Sequence, residues 1–169
     1  MIEEALEALP ETMAKRVGPV QVRLEREPGF GSQWRRTEEG LEITVATEGV
    51  EEHDVALEVL LCVGQALWEV TTPAEREEWL RVIGEEIGAE VEGEIDEDAL
   101  VEKRALLGGQ VSAASRRRLL RYAGASFAST VAEYVHSRWH EVTVREGPEH
   151  LPEDWLRRRW QVMERWFPH

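Results

Sequence analysis

The chain has 169 residues, 42% of them hydrophobic and 32% charged, and its 34 acidic against 20 basic side chains give a net charge of −14 at pH 7. That length and apolar content support one buried core, so a single domain over residues 1–169 is expected, and the seven tryptophans argue against disorder. A field this negative repels phosphate backbones and anionic lipid surfaces, which excludes nucleic acid and membrane as partners of the whole molecule.

No apolar run approaches the roughly 18–20 residues of a membrane span. The single cysteine excludes an internal disulfide framework. The opening MIEEALEALPE is acidic and amphipathic, the opposite of a secretion signal, so the expected compartment is the cytoplasm.

In chain order, Ile2, Leu6, Leu9 and Met13 recur at helical spacing and predict a helix over residues 2–16, with a break or kink at Pro10. Val20, Val22 and Leu24 alternate with polar residues, as do Leu41, Ile43 and Val45. The two segments read as half-buried strands that pair antiparallel, with Pro28–Ser32 a loop and Trp34 near the connection. A helix from about Glu52 to Val70 is apolar in nearly every direction and is therefore buried. Thr72-Pro73 starts the next helix, which carries Trp79, Val82, Ile83 and Ile87 and stops near Gly88.

Residues 85–98 hold eight acids and no base, a composition that reads as a solvated acidic loop; there is no Asp-x-Asp-x-Asp-Gly pattern for calcium. Asp96 caps a short helix closed by Gly108-Gly109, and Ser112 or Ser115 caps a long helix reaching about His140. Between Lys103 and Ala132 there are six bases and no acid, a patch expected to pair with the acidic run before it. Val142-Thr143-Val144 reads as extended, Gly147–Pro152 as a loop, and Glu153–Phe167 as a last helix with Leu156, Trp160, Met163 and Trp166 on its apolar stripe. The order is α+β, mostly helical, with a small N-terminal antiparallel sheet packed on a buried central helix.

The densest chemistry lies in SFASTVAEYVHSRWHE, residues 126–141. Glu133, His136 and His140 fall at i, i+3 and i+7 on one side of a helix whose stripe of Phe127, Val131, Tyr134 and Val135 faces the core. Two imidazoles one turn apart can share a zinc ion. Where the HExxH signature has its catalytic glutamate there is Ser137, which cannot act as that base. Glu58, set among Leu57, Val59, Leu60 and Leu61, needs a partner, a proton or a cation, with Arg117, Arg121 or water as expected neighbours. Cys62 lies on the same buried helix and reads as an inert core thiol, and His53 in EEHD reads as a surface histidine. Phosphate loops, serine-nucleophile elbows and CxxC pairs are absent from the sequence.

The segment GLEITVATEGVEEHDVALEVLLCVGQALWE, a strand, a short link and a very apolar helix, resembles the centre of zincin-like metallopeptidases. There an edge strand precedes the helix bearing HExxH. The opening EEALEALPE and VGPVQVRLERE are similar to the start of small bacterial minimal zincins, and ASTVAEYVH offers Glu133 where the gluzincin branch takes its third ligand from a later helix. The catalytic motif is missing. One register places Leu57, Glu58, Val59, Leu60 and Leu61 at its five positions, keeping the glutamate and losing both histidines; the other runs from Glu58 to Cys62 and has no base.

The resemblance implies a zincin scaffold without protease chemistry: a non-enzymatic domain with no cofactor, binding a protein or small ligand. The alternative is a metal-dependent hydrolase holding zinc through some combination of Glu58, Cys62, Glu133, His136 and His140.

Overall fold

In the computed structural model, which describes residues 1–108, 113–141 and 147–169, the chain forms seven helices and a three-stranded mixed sheet that packs mainly on one of them. The chain opens with two short helices, α1 (Ile2–Glu7) and α2 (Glu11–Val17), rather than one. Pro10 sits between them in an extended conformation; it lacks an N–H, so the first helix stops before it and the second starts after it.

Strands β1 (Val20–Glu25), β2 (Ser32–Thr37) and β3 (Gly40–Ala46) follow, in the spatial order β1-β3-β2. The antiparallel pairing expected of the two apolar strands is overturned. β1 and β3 run parallel, with Val20 opposite Leu41 and Leu24 opposite Val45, while β2 pairs antiparallel with β3. The cause is the unforeseen strand SQWRRT between them: it reverses the chain once, β3 reverses it again, and the first and third strands point the same way. Only Trp34 of β2 packs against the core, so the segment lacks the apolar alternation that marks a strand in sequence. Leu41, Ile43 and Val45 of the middle strand are all buried.

Helix α3 (Glu52–Glu69) is the buried helix expected there and makes its most extensive packing with α6 (Ala113–Trp139). Their backbones meet at Gly64, where a Cβ atom would lie 2.7 Å from both the Cα and the carbonyl oxygen of Ala128. Between these helices come α4 (Pro73–Gly88), started by a Thr72–Glu75 capping box, and α5 (Glu97–Leu107), capped by the Asp96 carboxylate on the Ala99 N–H at 2.9 Å. The last helix is α7 (Glu153–Trp166). Of the remaining expectations, a cap at Ser112 and an extended Val142–Val144 fall outside the described residues.

The acidic run is not simply solvated. Glu86 and Glu94 are buried, and both carboxylates bind Arg159 of α7, itself buried. Arg159 Nε and Nη2 fork onto Glu86 at 3.0 and 2.9 Å, and Nη1 and Nη2 onto Glu94 at 3.1 and 2.6 Å. Thr130 accepts from Nη1, Tyr122 accepts from Nη2 and donates to Glu94, and buried Lys103 lies 3.6 Å from Glu94 while donating to Gly93 O at 2.8 Å. Two carboxylates thus face two cations. A buried charge is tolerated only when paired and hydrogen-bonded, and the partner that makes this possible stands 65 residues beyond Glu94. The expected pairing of the basic stretch with the acidic run is met at Lys103.

Candidate functional site: a carboxylate-lined cavity beside a histidine cluster

A cavity of about 270 Å³ opens between α3, α6, the segment 94–97 and the start of α7. Leu57 and Leu61 of α3, Ala132 of α6, Leu151 and Leu156 give it an apolar wall; Asp96, Glu97, Glu133 and Glu153 supply carboxylates, and His150 also lines it. Leu57 and Leu61 reach the same space because they are four apart on one helix face. The segment 94–97 is held in place by the buried cluster through Glu94 and by backbone bonds between Glu94 and the 149–151 loop, at 3.1 Å each way. Gly93 permits that approach, since a Cβ there would meet His150 O at 2.0 Å.

Burial pushes the Asp96 carboxyl up to about 6, although the Ala99 N–H it accepts from pulls the other way; Asp98, Glu94 and Glu58 push it further up. Glu94 behaves oppositely. Burial acts to raise it, but the Arg159 guanidinium outweighs that and holds it below the ordinary glutamate value of 4.5.

Glu133 joins this cavity to a second feature. Its Oε2 lies 3.5 Å from Nδ1 of His136, which is buried at the end of α6. Nε2 of His136 is 3.0 Å from Nε2 of His53, on the first turn of α3, and His140 completes a group whose ligand atoms all fall within 4.8 Å of one another. Burial pushes the His136 pKa down; Glu133 opposes that, and His53 and His140 reinforce it. The net direction favours the neutral imidazole. Trp139 packs against the three rings at centroid distances of 5.4 to 5.9 Å.

Of the five residues singled out in the sequence, the structure brings Glu133, His136 and His140 together. Glu58 and Cys62 stand apart, further along α3. Glu58 accepts a hydrogen bond from Ser32 Oγ at 2.8 Å, a partner supplied by the unexpected strand β2 in place of Arg117 or Arg121. Cys62 is buried, and burial pushes its thiol up to about 11, so it is the inert core thiol expected. His53, read as a surface histidine, is half-buried against His136. The signal that could have placed it there, the crossing of the α3 N-terminus with the α6 C-terminus, is tertiary and absent from local spacing. Asp96 is the helix cap expected from its position, and no local pattern marks it as facing a cavity.

No protein-family model, curated protein or solved structure matches this chain. The protein is an α+β protein with a charge-balanced buried cluster and a carboxylate-lined cavity. Among the described residues, no single helix is long and apolar enough to cross a membrane.

Proposed function

We propose that the protein is a zincin-like domain without protease chemistry, whose cavity binds a small ligand with an apolar body and a cationic head. One observation carries the reading: Leu57, Leu61 and Glu133 line the same cavity. In the register that keeps the glutamate, Leu57 and Leu61 stand at the two histidine positions of HExxH, and Glu133 stands where gluzincins take their third ligand. Two of three metal-binding positions are thus alkyl side chains, which neither ligate a cation nor polarise water. What replaces them is apolar wall. One feature departs from the family: β3, directly before α3, is the middle strand of the sheet, and the edge is taken by β2.

The lining selects the ligand class. Alkyl groups from Leu57, Leu61, Leu151 and Leu156 favour an apolar body, and carboxylates with no lysine or arginine among the lining residues favour a cation and repel an anion. The volume, about 270 Å³, lies just below the roughly 300–1,000 Å³ typical of small-molecule sites, which suits a compact molecule better than a protein segment.

Calorimetric titration of the full chain with phenylethylamine and with phenylacetate tests this. The amine should bind and the carboxylate should not, and Leu61→Trp, which fills the cavity, should abolish amine binding while the protein stays folded. Equal affinity for both probes, or binding that survives the filled cavity, would overturn the reading.

A further inference from the structure

We propose that His53, His136 and His140 form a binding site for a divalent transition-metal ion of the zinc class, clamping the first turn of α3 to the last turn of α6. The inference goes beyond the cavity reading, since none of the three histidines lines the cavity.

Geometry is the first support. Zinc–nitrogen bonds of about 2.0–2.1 Å in a tetrahedron separate neighbouring ligand nitrogens by about 3.3 Å. The Nε2 atoms of His53 and His136 are 3.0 Å apart, and the third ligand atom lies within 4.8 Å of both. The ring centroids form a nearly equilateral triangle of 5.0, 5.1 and 5.5 Å. Three imidazoles pointed at one tetrahedral centre give centroid separations of about 5.2 Å. His140 is exposed, so a small rotation of its side chain closes the remaining gap at little cost.

The second support is on the far side of the rings. Nδ1 of His136 faces Glu133 Oε2 at 3.5 Å, and Nδ1 of His53 faces Asp54 Oδ1 at 3.7 Å. Metal-ligating histidines characteristically direct their other ring nitrogen at a carboxylate, which fixes the tautomer with the proton on that side. Two rings here approach that arrangement, each with Nε2 inward and Nδ1 toward an acid that stands too far for a hydrogen bond.

Tautomers supply the third support. In a neutral pair with Nε2 facing Nε2, one nitrogen must donate and the other accept. The donor ring then has a bare Nδ1 lone pair turned toward its carboxylate, so one of the two carboxylate contacts is repulsive. Nδ1 of His136 is in fact buried without a hydrogen-bond partner among the described residues. A cation between the inward nitrogens removes the conflict, because both rings then carry their proton on Nδ1. A proton shared by His53 and His136 also removes it, yet leaves His140 with no role; three converging rings fit a metal. The negative end of the α6 dipole lies at the same place and offsets the positive end of α3, on whose first turn His53 sits beside Asp54. The donor set, three imidazoles and no thiolate, suits zinc, nickel or copper rather than calcium or magnesium, and exposed His140 leaves a fourth position for water.

The test uses the full chain, produced without a histidine tag and stripped with chelator, titrated with zinc chloride and with cobalt chloride. One equivalent should bind with micromolar affinity or better and raise the melting temperature. The cobalt form should show tetrahedral ligand-field bands without thiolate charge transfer. His53→Ala and His140→Ala should each weaken zinc binding by about 100-fold or more, Glu133→Gln by about 10-fold, and Cys62→Ser not at all. His140 is exposed, so its variant folds as the parent does, and circular dichroism of each variant verifies this. Absence of saturable binding, or zinc retained by the His53→Ala, His140→Ala double variant, overturns the proposal. Loss of zinc with Cys62→Ser does so as well, as would a histidine pair that takes up only a proton.

Discussion

The guanidinium of Arg159 aims its N–H groups at Glu86, Glu94, Thr130 and Tyr122, all inside the core. Truncating one member of such a cluster leaves the others charged and unpaired, which costs far more than the pairing contributes net. Arg159→Met should therefore destabilise the protein by about 3–5 kcal/mol, read from urea unfolding at neutral pH. Glu94 and Asp96, two residues apart, make opposite contributions to the pH dependence. The folded-state pKa of Glu94 lies below its unfolded value of 4.5, so its stabilisation is complete above that pH and is lost as pH falls through the folded pKa. The Asp96 value rises from 3.8 unfolded to about 6 folded, so its environment favours the folded state at low pH and that advantage is lost as pH rises through about 6. Asp96→Asn keeps a good helix cap and removes the charge. It should add on the order of 1–3 kcal/mol above about pH 6 and nothing below about pH 4, measured as unfolding midpoints across that range.

At the scale of elements, the α3–α6 contact is set by backbone, and Gly64 decides its distance. Gly64→Ala gains about 1 kcal/mol of helix propensity but drives a methyl against the Ala128 backbone, which cannot move aside as a side chain would. Overpacking of this kind costs about 1–3 kcal/mol, so the net effect should be a loss of up to about 2 kcal/mol. Gly84, exposed on α4 with open space where its Cβ would be, is the control: Gly84→Ala should stabilise by about 0.5–1 kcal/mol in the same assay.

The contrast explains how much of the fold could be read from the chain. Helix α3 announced itself through a long, nearly unbroken apolar run, and α4 and α7 through apolar periodicity and caps such as Thr72-Pro73, because those signals are local. Strand β2 did not, since SQWRRT owes its conformation to Trp34 packing and to pairing with β3. Of the candidate site, Glu133, His136 and His140 were legible from spacing on a single helix. His53 and Asp96 reach the site from other elements, and no local pattern encodes where helices cross.

Over the whole molecule, 34 carboxylates against 20 basic side chains oppose compaction by self-repulsion, while the buried cluster is charge-balanced and shielded from salt. Raising ionic strength at neutral pH should lift the melting temperature by a few degrees, and the increment should persist in Arg159→Met because it arises at the surface. The same cluster constrains the order in which the chain can mature. Glu86 and Glu94 leave the ribosome long before Arg159, which follows Glu94 by 65 residues, or roughly 3–13 s at ordinary elongation rates. Until α7 is synthesised, the acids at the centre of the fold have Lys103 as their one cation among the residues that build the cluster. The nascent chain must therefore keep α4 and the 91–96 segment hydrated through that interval, and the core closes in a late, single step rather than helix by helix. Ribosome-bound chains halted before residue 159 should remain protease-sensitive throughout, and full-length chains tethered by an added C-terminal linker long enough to clear α7 from the ribosome should become resistant as a whole.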